Sequence, residues 1–447
     1  MTHLPFRLRG AATAVLATAV LACAARAQAA TAAAFPDAAA SDPATLKWMV
    51  GAPPPADRII RFTDGTHYRF PQFRWTFSNM RALIPTVVVG RGSGPVRTLP
   101  RAERRDLDSV RFTPLDGGAA MTWAQSLAAN YTDGIVVLHR GRIVYERYFG
   151  VLSPERQHVL WSVTKSFTGL LGAMLVAEGA LDEHAPAARY VPELEGSGLG
   201  DATVRQLLDM TTGIRYSENY ADPRAEIWDH ARAGGILPRP AGYQGPRSFY
   251  DFLRTLAREG AHGEAFAYKT VNTDALGWVI RRATGQSLEA LLQERIWRKL
   301  GAEQDAYLAV DETGAAFAGG GLNTTLRDLA RVGEMMRLGG AYNGEQVVPK
   351  AVVADIRRGG DPAKFAAAGY ARLAGWSYRD MWWVSHNEHG AFSARGIHGQ
   401  VIYVDPKAEM VIARFASHPV AGNTAALDLT SLPAYHALAT HLLAHPR

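Results

Sequence analysis

Two side chains three positions apart, Ser162 and Lys165, have the types and spacing for nucleophilic catalysis. A serine is a weak nucleophile until a neighbouring group takes its proton. On a helix, residues i and i+3 lie roughly 5–6 Å apart at Cβ, which brings an amine to a hydroxyl. Apolar Val163, Phe167, Leu170, Leu171, Met174 and Leu175 follow at steps of 4, 3, 1, 3 and 1, so the spacing predicts one face of a helix beginning at Ser162. The Ser162 N–H is then among the unpaired donors at the positive helix end and can meet a developing oxyanion. Taken alone, Ser-x-x-Lys is equally the pattern of a capping serine followed by a solvated lysine, and that plainer reading is the commoner one.

Other constellations are weaker. Gly90-Arg-Gly-Ser-Gly94 lacks the spacing of a Gly-x-Ser-x-Gly elbow. His386, Glu388 and His389 do not follow His-Glu-x-x-His and read as a solvated or site-rim loop, so no metal is expected. Trp376, Trp382 and Trp383 are candidates for an apolar substrate cleft, with core packing as the equal alternative.

The elements around Ser162 follow from pattern. Ile135-Val-Val-Leu138, Arg140-Gly141 and Ile143-Val-Tyr145 predict an antiparallel hairpin, and Val401-Ile-Tyr-Val404 with Met410-Val-Ile-Ala413 predict a second. Gly169 and Gly172 allow another element close to the helix backbone. Residues 180–320 read as short helices and loops. Thr324 or Thr325 can cap a helix running to about Leu338, and a closing helix is expected from about Ser431-Leu-Pro433. Strands at both ends and helices between them predict an α+β fold, an antiparallel sheet flanked by helices with a mostly helical inserted region. The expected organisation is 30–125 as an N-terminal arm and extension, 126–180 with 320–447 as the α/β body, and 181–319 as the helical region.

Residues 1–29 read as an export signal: Arg7 and Arg9, the apolar run Ala11 to Ala25, and a small-x-small site at Ala27-Gln28-Ala29. The run is short for a bilayer span. The single cysteine, Cys23, lies inside it, a weak lipoprotein alternative; cleavage near Ala29 would leave no thiol. Losing Arg7, Arg9 and Arg26 takes the net charge from +6 to +3, and nothing resembles a nucleic-acid footprint. The expected partner is a small-molecule substrate, with no membrane span.

In sequence context, Leu160-Trp-Ser-Val-Thr-Lys-Ser-Phe-Thr-Gly-Leu170 resembles the active-serine helix of the serine β-lactamase and penicillin-recognising fold. It is most similar to the class C-type branch containing esterases and nylon-oligomer (6-aminohexanoate-oligomer) hydrolases. Further segments match in order: Val204-Arg-Gln-Leu-Leu-Asp-Met-Thr-Thr-Gly213, Phe266-Ala-Tyr268 with Asn272-Thr-Asp-Ala-Leu-Gly277, and Ala394-Arg-Gly-Ile-His-Gly399 ahead of Val404-Asp-Pro406. The resemblance implies Ser162 as nucleophile, Lys165 as its activator, and Tyr268 as general base and acid. It also implies an oxyanion hole of the Ser162 and Ile397 backbone N–H groups, and no cofactor. An adjacent Lys165 ammonium is expected to lower the Tyr268 pKa from about 10. Tyr220, Thr270, Gly396 and Trp383 are the expected substrate contacts.

Three departures bear on substrate. Ala394 stands where β-lactamases and penicillin-binding proteins carry a third-motif cation, although Arg395 is adjacent. Thr270 holds the position of the usual Asn. Ala231 falls where the more active amide-cleaving members have a carboxylate, with Asp229 two residues away. Ser217-Glu218-Asn219 mimics another Ser-x-Asn motif and reads as coincidence. These favour ester or small linear amide hydrolysis over β-lactamase, D-alanyl peptidase or penicillin-sensor activity.

Overall fold

The computed structural model describes residues 35–446, so the leader, Cys23 and the Ala29 cleavage point lie outside the described residues. Seven strands form the main sheet: β1 Thr132–His139, β2 Arg142–Tyr148, β3 Ser377–Arg379, β4 Trp382–Val384, β5 Phe392–Gly396, β6 Gln400–Asp405 and β7 Met410–Ala416. Every pairing is antiparallel, in the order β3-β4-β5-β6-β7-β1-β2. Strands from the two halves of the chain therefore meet at β7 and β1, where Ile412 faces Val137 and Arg414 faces Ile135. The β1–β2 turn uses Arg140 (φ 53°) and Gly141 (φ 73°), both left-handed, which suits the twist of a two-residue hairpin.

Strand β1, next to the edge strand β2, is buried along its whole length because helices cover both sheet faces. Ile135, Val137, Tyr403 and Ile412 pack with Tyr435, Leu438 and Ala439 of one helix, α5 (Asp428–Ala444). Val136, Leu138, Ile402 and Val411 share the opposite core with Phe167 and Leu170 of α1 (Val163–Ala177) and Leu329 and Val332 of α4 (Leu326–Arg337). This explains the unbroken apolar runs in the strands, since two-sided burial removes the usual polar alternation.

Helix α1 departs from the expected single apolar face. Every residue from Val163 to Leu175 is buried, including Thr164, Lys165, Ser166 and Thr168. Their polar groups are satisfied internally: Ser166 Oγ donates to the Met381 carbonyl (2.7 Å) and Thr168 Oγ1 to that of Ala318 (2.9 Å). Both glycines are close approaches. A Cβ at Gly169 would collide with the Asp380 carbonyl, and one at Gly172 would lie 3.2 Å from Leu208 and 3.3 Å from Leu276.

Between the two parts of the main sheet lie α2 (Glu226–Ala233), α3 (Val271–Thr284) and several shorter helices. A second antiparallel sheet, absent from the sequence expectation, orders Thr86–Val89, Ala306–Ala309, Leu322–Thr324 and His158–Val159. Its shortest strand has two residues, too few for a periodic signal, yet it delivers the chain to Ser162. The closing helix starts at Asp428, before the expected Ser431, and contains Pro433. Proline cannot donate to the carbonyl four residues back, and the Leu115 N–H takes the Leu429 carbonyl instead (2.9 Å). Among the described residues no helix is long and apolar enough to cross a membrane.

Candidate active site

Ser162 sits at a sharp strand-to-helix turn. The chain enters through backbone bonds from Val159 to Phe77 and from Leu160 to Leu322, both 2.8 Å. Trp161 then adopts φ 44°, uncommon for a bulky residue, and is held edge-on by Tyr68 (5.7 Å) and Phe77 (5.4 Å) of the N-terminal extension. The extension thus supports the site and also lines it, through Tyr68, Phe70 and Phe73. Phe70, Phe73, Trp75 and Phe77 stand close together in the sequence and call for burial, but their spacing does not say where.

Lys165 reaches Ser162 as the helical spacing requires: Nζ lies 2.8 Å from Oγ and 2.6 Å from the Gly319 carbonyl. Burial pushes its pKa down to about 8, against the opposing charges of Glu218 and Asp274. An amine near pH 8 can take a serine proton, whereas a solvated lysine near 10.5 rarely can. The motif around Asn272 and Asp274 builds the support. Asp274 accepts the Gly319 N–H (2.9 Å) and so fixes the carbonyl that holds Lys165, while Asn272 accepts from Thr212 of the preceding motif (2.6 Å).

Tyr268 corrects one expectation. Its ring, packed on Trp383 at 5.3 Å, lies beneath the Lys165 ammonium, with Nζ 5.2 Å from the centroid. Burial pushes its pKa well above 10 and Glu218 adds to the rise; Ser162 and Arg395 only oppose it. The net direction is upward, opposite to the lowering expected from the neighbouring ammonium, because burial outweighs it. A neutral phenol can donate a proton, and an amine with its pKa near 8 can accept one.

Gly396 closes the site from β5. A Cβ there would stand 2.5 Å from the Leu160 carbonyl and 3.1 Å from the Ser162 nitrogen. The turn after it is fixed by Asn423 Nδ2 on the Gly396 carbonyl and by the His398 N–H on the Ala421 carbonyl, both 2.9 Å, with His398 at φ 62°. Ser162 and Ile397 line the same cleft, and among the described residues neither backbone N–H is taken by a protein acceptor. Two such donors are the elements of an oxyanion hole.

The cleft encloses about 780 Å³, and its walls include Tyr68, Tyr220, Trp228, Tyr268, Tyr370 and Trp383. Glu218, dismissed on sequence, is the only carboxylate among its lining residues. It accepts from the Thr270 N–H (2.7 Å), the Thr270 hydroxyl (2.8 Å) and the Tyr220 phenol (2.8 Å). Thr270 thereby holds Glu218, and it borders the small cavity beside Ser162 and Lys165. Trp382 is core, whereas Trp383 lines the cleft. Ala231 borders a small cavity beside Lys165, and Asp229 is exposed and paired with Arg232. Arg395 lines the cleft with its guanidinium paired to Asp428 and stacked 5.1 Å over Trp383.

This fold and this serine–lysine pair define a serine hydrolase of the Beta-lactamase family, to which the chain belongs: the family model matches residues 124–432. Within that family, the chain is 37% identical over 350 residues to the 6-aminohexanoate-dimer hydrolase of Paenarthrobacter ureafaciens, covering 78% of this chain and 86% of the relative. Esterase EstB of Burkholderia gladioli is 30% identical over 197 residues, which cover 39% of this chain and 47% of EstB. A solved Bacillus anthracis structure, provisionally named a 6-aminohexanoate-dimer hydrolase, superposes with a TM-score of 0.79 at 34% identity. That match covers 88% of this chain and 100% of the other.

Proposed function

We propose that this enzyme hydrolyses carboxylic esters and small linear amides through an acyl-enzyme on Ser162. The observation that carries the reading is the buried Lys165 amine, 2.8 Å from the Ser162 hydroxyl with its pKa held near 8. Neutral Lys165 takes the hydroxyl proton as Oγ attacks the carbonyl, and the N–H groups of Ser162 and Ile397 receive the oxyanion. The Tyr268 phenol protonates the departing oxygen or nitrogen and is reprotonated by the Lys165 ammonium. Water then attacks the acyl-enzyme by the same proton path in reverse. Tyr220 and Trp383 border the acyl and leaving groups. Glu218, with the aromatic walls around it, suits an amide substrate that also carries an ammonium group. Export with cleavage near Ala29 is part of the same proposal and rests on the N-terminal sequence alone.

Substrate choice is the test. A β-lactam carboxylate has no cation at Ala394, and Arg395 is committed to Asp428. Losing a charge-assisted partner is worth about 1.5–3 kcal/mol, or roughly 10- to 150-fold. Untagged enzyme assayed on p-nitrophenyl acetate, a chromogenic cephalosporin and the aminohexanoate dimer is expected to prefer the ester over the cephalosporin by that factor and to cleave the dimer more slowly than the ester. Cephalosporin turnover equal to ester turnover in kcat/KM would establish the β-lactamase alternative. A burst that stops after one equivalent would identify a sensor.

The pH profile follows from Lys165. Its deprotonated form is the base, so ester kcat/KM should rise with pH through about 8. The Glu218 carboxylate favours the ammonium and holds this pKa up, so Glu218→Gln should move the rise to lower pH. An unmoved profile in the variant would remove Glu218 from the electrostatics of the base.

A further inference from the structure

On the side of the main sheet covered by α5, three side chains with metal-ligand chemistry converge. Glu388 and His389 lie on the loop between β4 and β5, and His436 comes from α5. One ligand atom from each lies within 4.8 Å of the other two, the only such group among the described residues. His436 Nε2 and Glu388 Oε1 are already 3.4 Å apart. That is the edge of a tetrahedron around an ion with bonds of about 2.1 Å, which puts donors about 3.4 Å from one another.

His389 is prepared for the role. Its Nδ1 bonds to Asp405 Oδ2 at 2.8 Å, and the other oxygen of this fully buried carboxylate accepts the Ala408 N–H at 2.9 Å. A carboxylate on Nδ1 accepts the N–H of that nitrogen and leaves Nε2 as the ring's lone-pair donor. Metal-binding histidines almost always give their other ring N–H to an outer carboxylate, backbone carbonyl or water, and Asp405 is such a partner. The rings of His389 and His436 lie 5.0 Å apart. His386, the other histidine of the loop, is turned away onto Ser377 Oγ (2.7 Å) and takes no part.

We infer that Glu388, His389 and His436 bind one divalent transition-metal ion, zinc by the preference of a two-imidazole, one-carboxylate set, with water completing a tetrahedron. Magnesium and calcium favour all-oxygen sets and are excluded by this chemistry. The ion acts as a clip and takes no part in hydrolysis. It ties the loop between β4, which carries Trp383, and β5, which carries Gly396, to the helix whose Asp428 holds Arg395.

The test uses untagged enzyme dialysed against EDTA and then metal-free buffer. Calorimetric titration with zinc chloride should give saturable one-to-one binding, with a Tm that climbs with zinc concentration, as expected of a ligand bound to the folded state alone. Magnesium and calcium chloride should do neither. His436→Ala and Glu388→Gln change exposed or half-buried groups, so each should fold as wild type and weaken zinc binding at least tenfold. His386→Ala should bind as wild type. Absence of saturable zinc binding to the wild-type enzyme would overturn the inference. Undiminished binding by both His436→Ala and Glu388→Gln would overturn it equally.

Discussion

Ser162→Ala and Lys165→Ala are each expected to lower kcat/KM for p-nitrophenyl acetate at least about a thousandfold, with the double variant scarcely worse than either. The two groups form one proton path, so removing either half removes the whole. The Ser162 side chain makes no capping bond at the start of α1, so alanine should leave the Tm close to wild type. Lys165 is a larger loss to the fold, since it fills a buried position and serves the Gly319 carbonyl. A fall in Tm is therefore expected there, and activity must be read below the transition. Tyr268→Phe separates the acid from the base. It keeps the ring against Trp383 and deletes only the donor, so amides, whose nitrogen must be protonated to leave, should suffer more than an activated ester. Multiplicative losses for the serine and lysine variants would mean that they act on different steps.

The serine–lysine geometry was legible because a helix fixes the distance between i and i+3, and one apolar stripe sufficed to predict the helix. Both hairpins were legible from their Val/Ile runs. The close approaches at Gly169 and Gly172 were legible too, but the all-round burial of α1 was not, because Ser166 and Thr168 read as a polar face until the partners that satisfy them are known. Glu218 was passed over because its meaning depends on Thr270, which folding brings back across 52 positions. The direction of the Tyr268 pKa shift was not legible for a related reason: adjacency to an ammonium was inferable, but the burial that outweighs it was not. His436 lies far along the chain from Glu388 and His389, so no local spacing could announce their meeting.

Gly396→Ala is expected to reduce kcat by about a hundred- to a thousandfold with little change in KM, the cost of removing one oxyanion donor. The backbone at Gly396 is extended (φ −127°, ψ 153°), a conformation any residue adopts, so the demand for glycine is one of space. An added methyl would lie 2.5 Å from the Leu160 carbonyl and 3.1 Å from the Ser162 nitrogen. Relief requires β5 to move away from the start of α1, and that widens the gap between the Ser162 and Ile397 N–H groups. Ground-state binding depends mainly on the aromatic walls, which the change does not touch, so the loss should appear in the chemical step. Stability should fall modestly, because alanine restricts the unfolded chain by about 0.4–1 kcal/mol and offsets part of the steric cost. Steady-state kinetics on p-nitrophenyl acetate, paired with thermal unfolding, decide the matter. A kcat within threefold of wild type would mean that Gly396 does not frame the oxyanion site, and a parallel collapse of Tm would assign the glycine to packing instead.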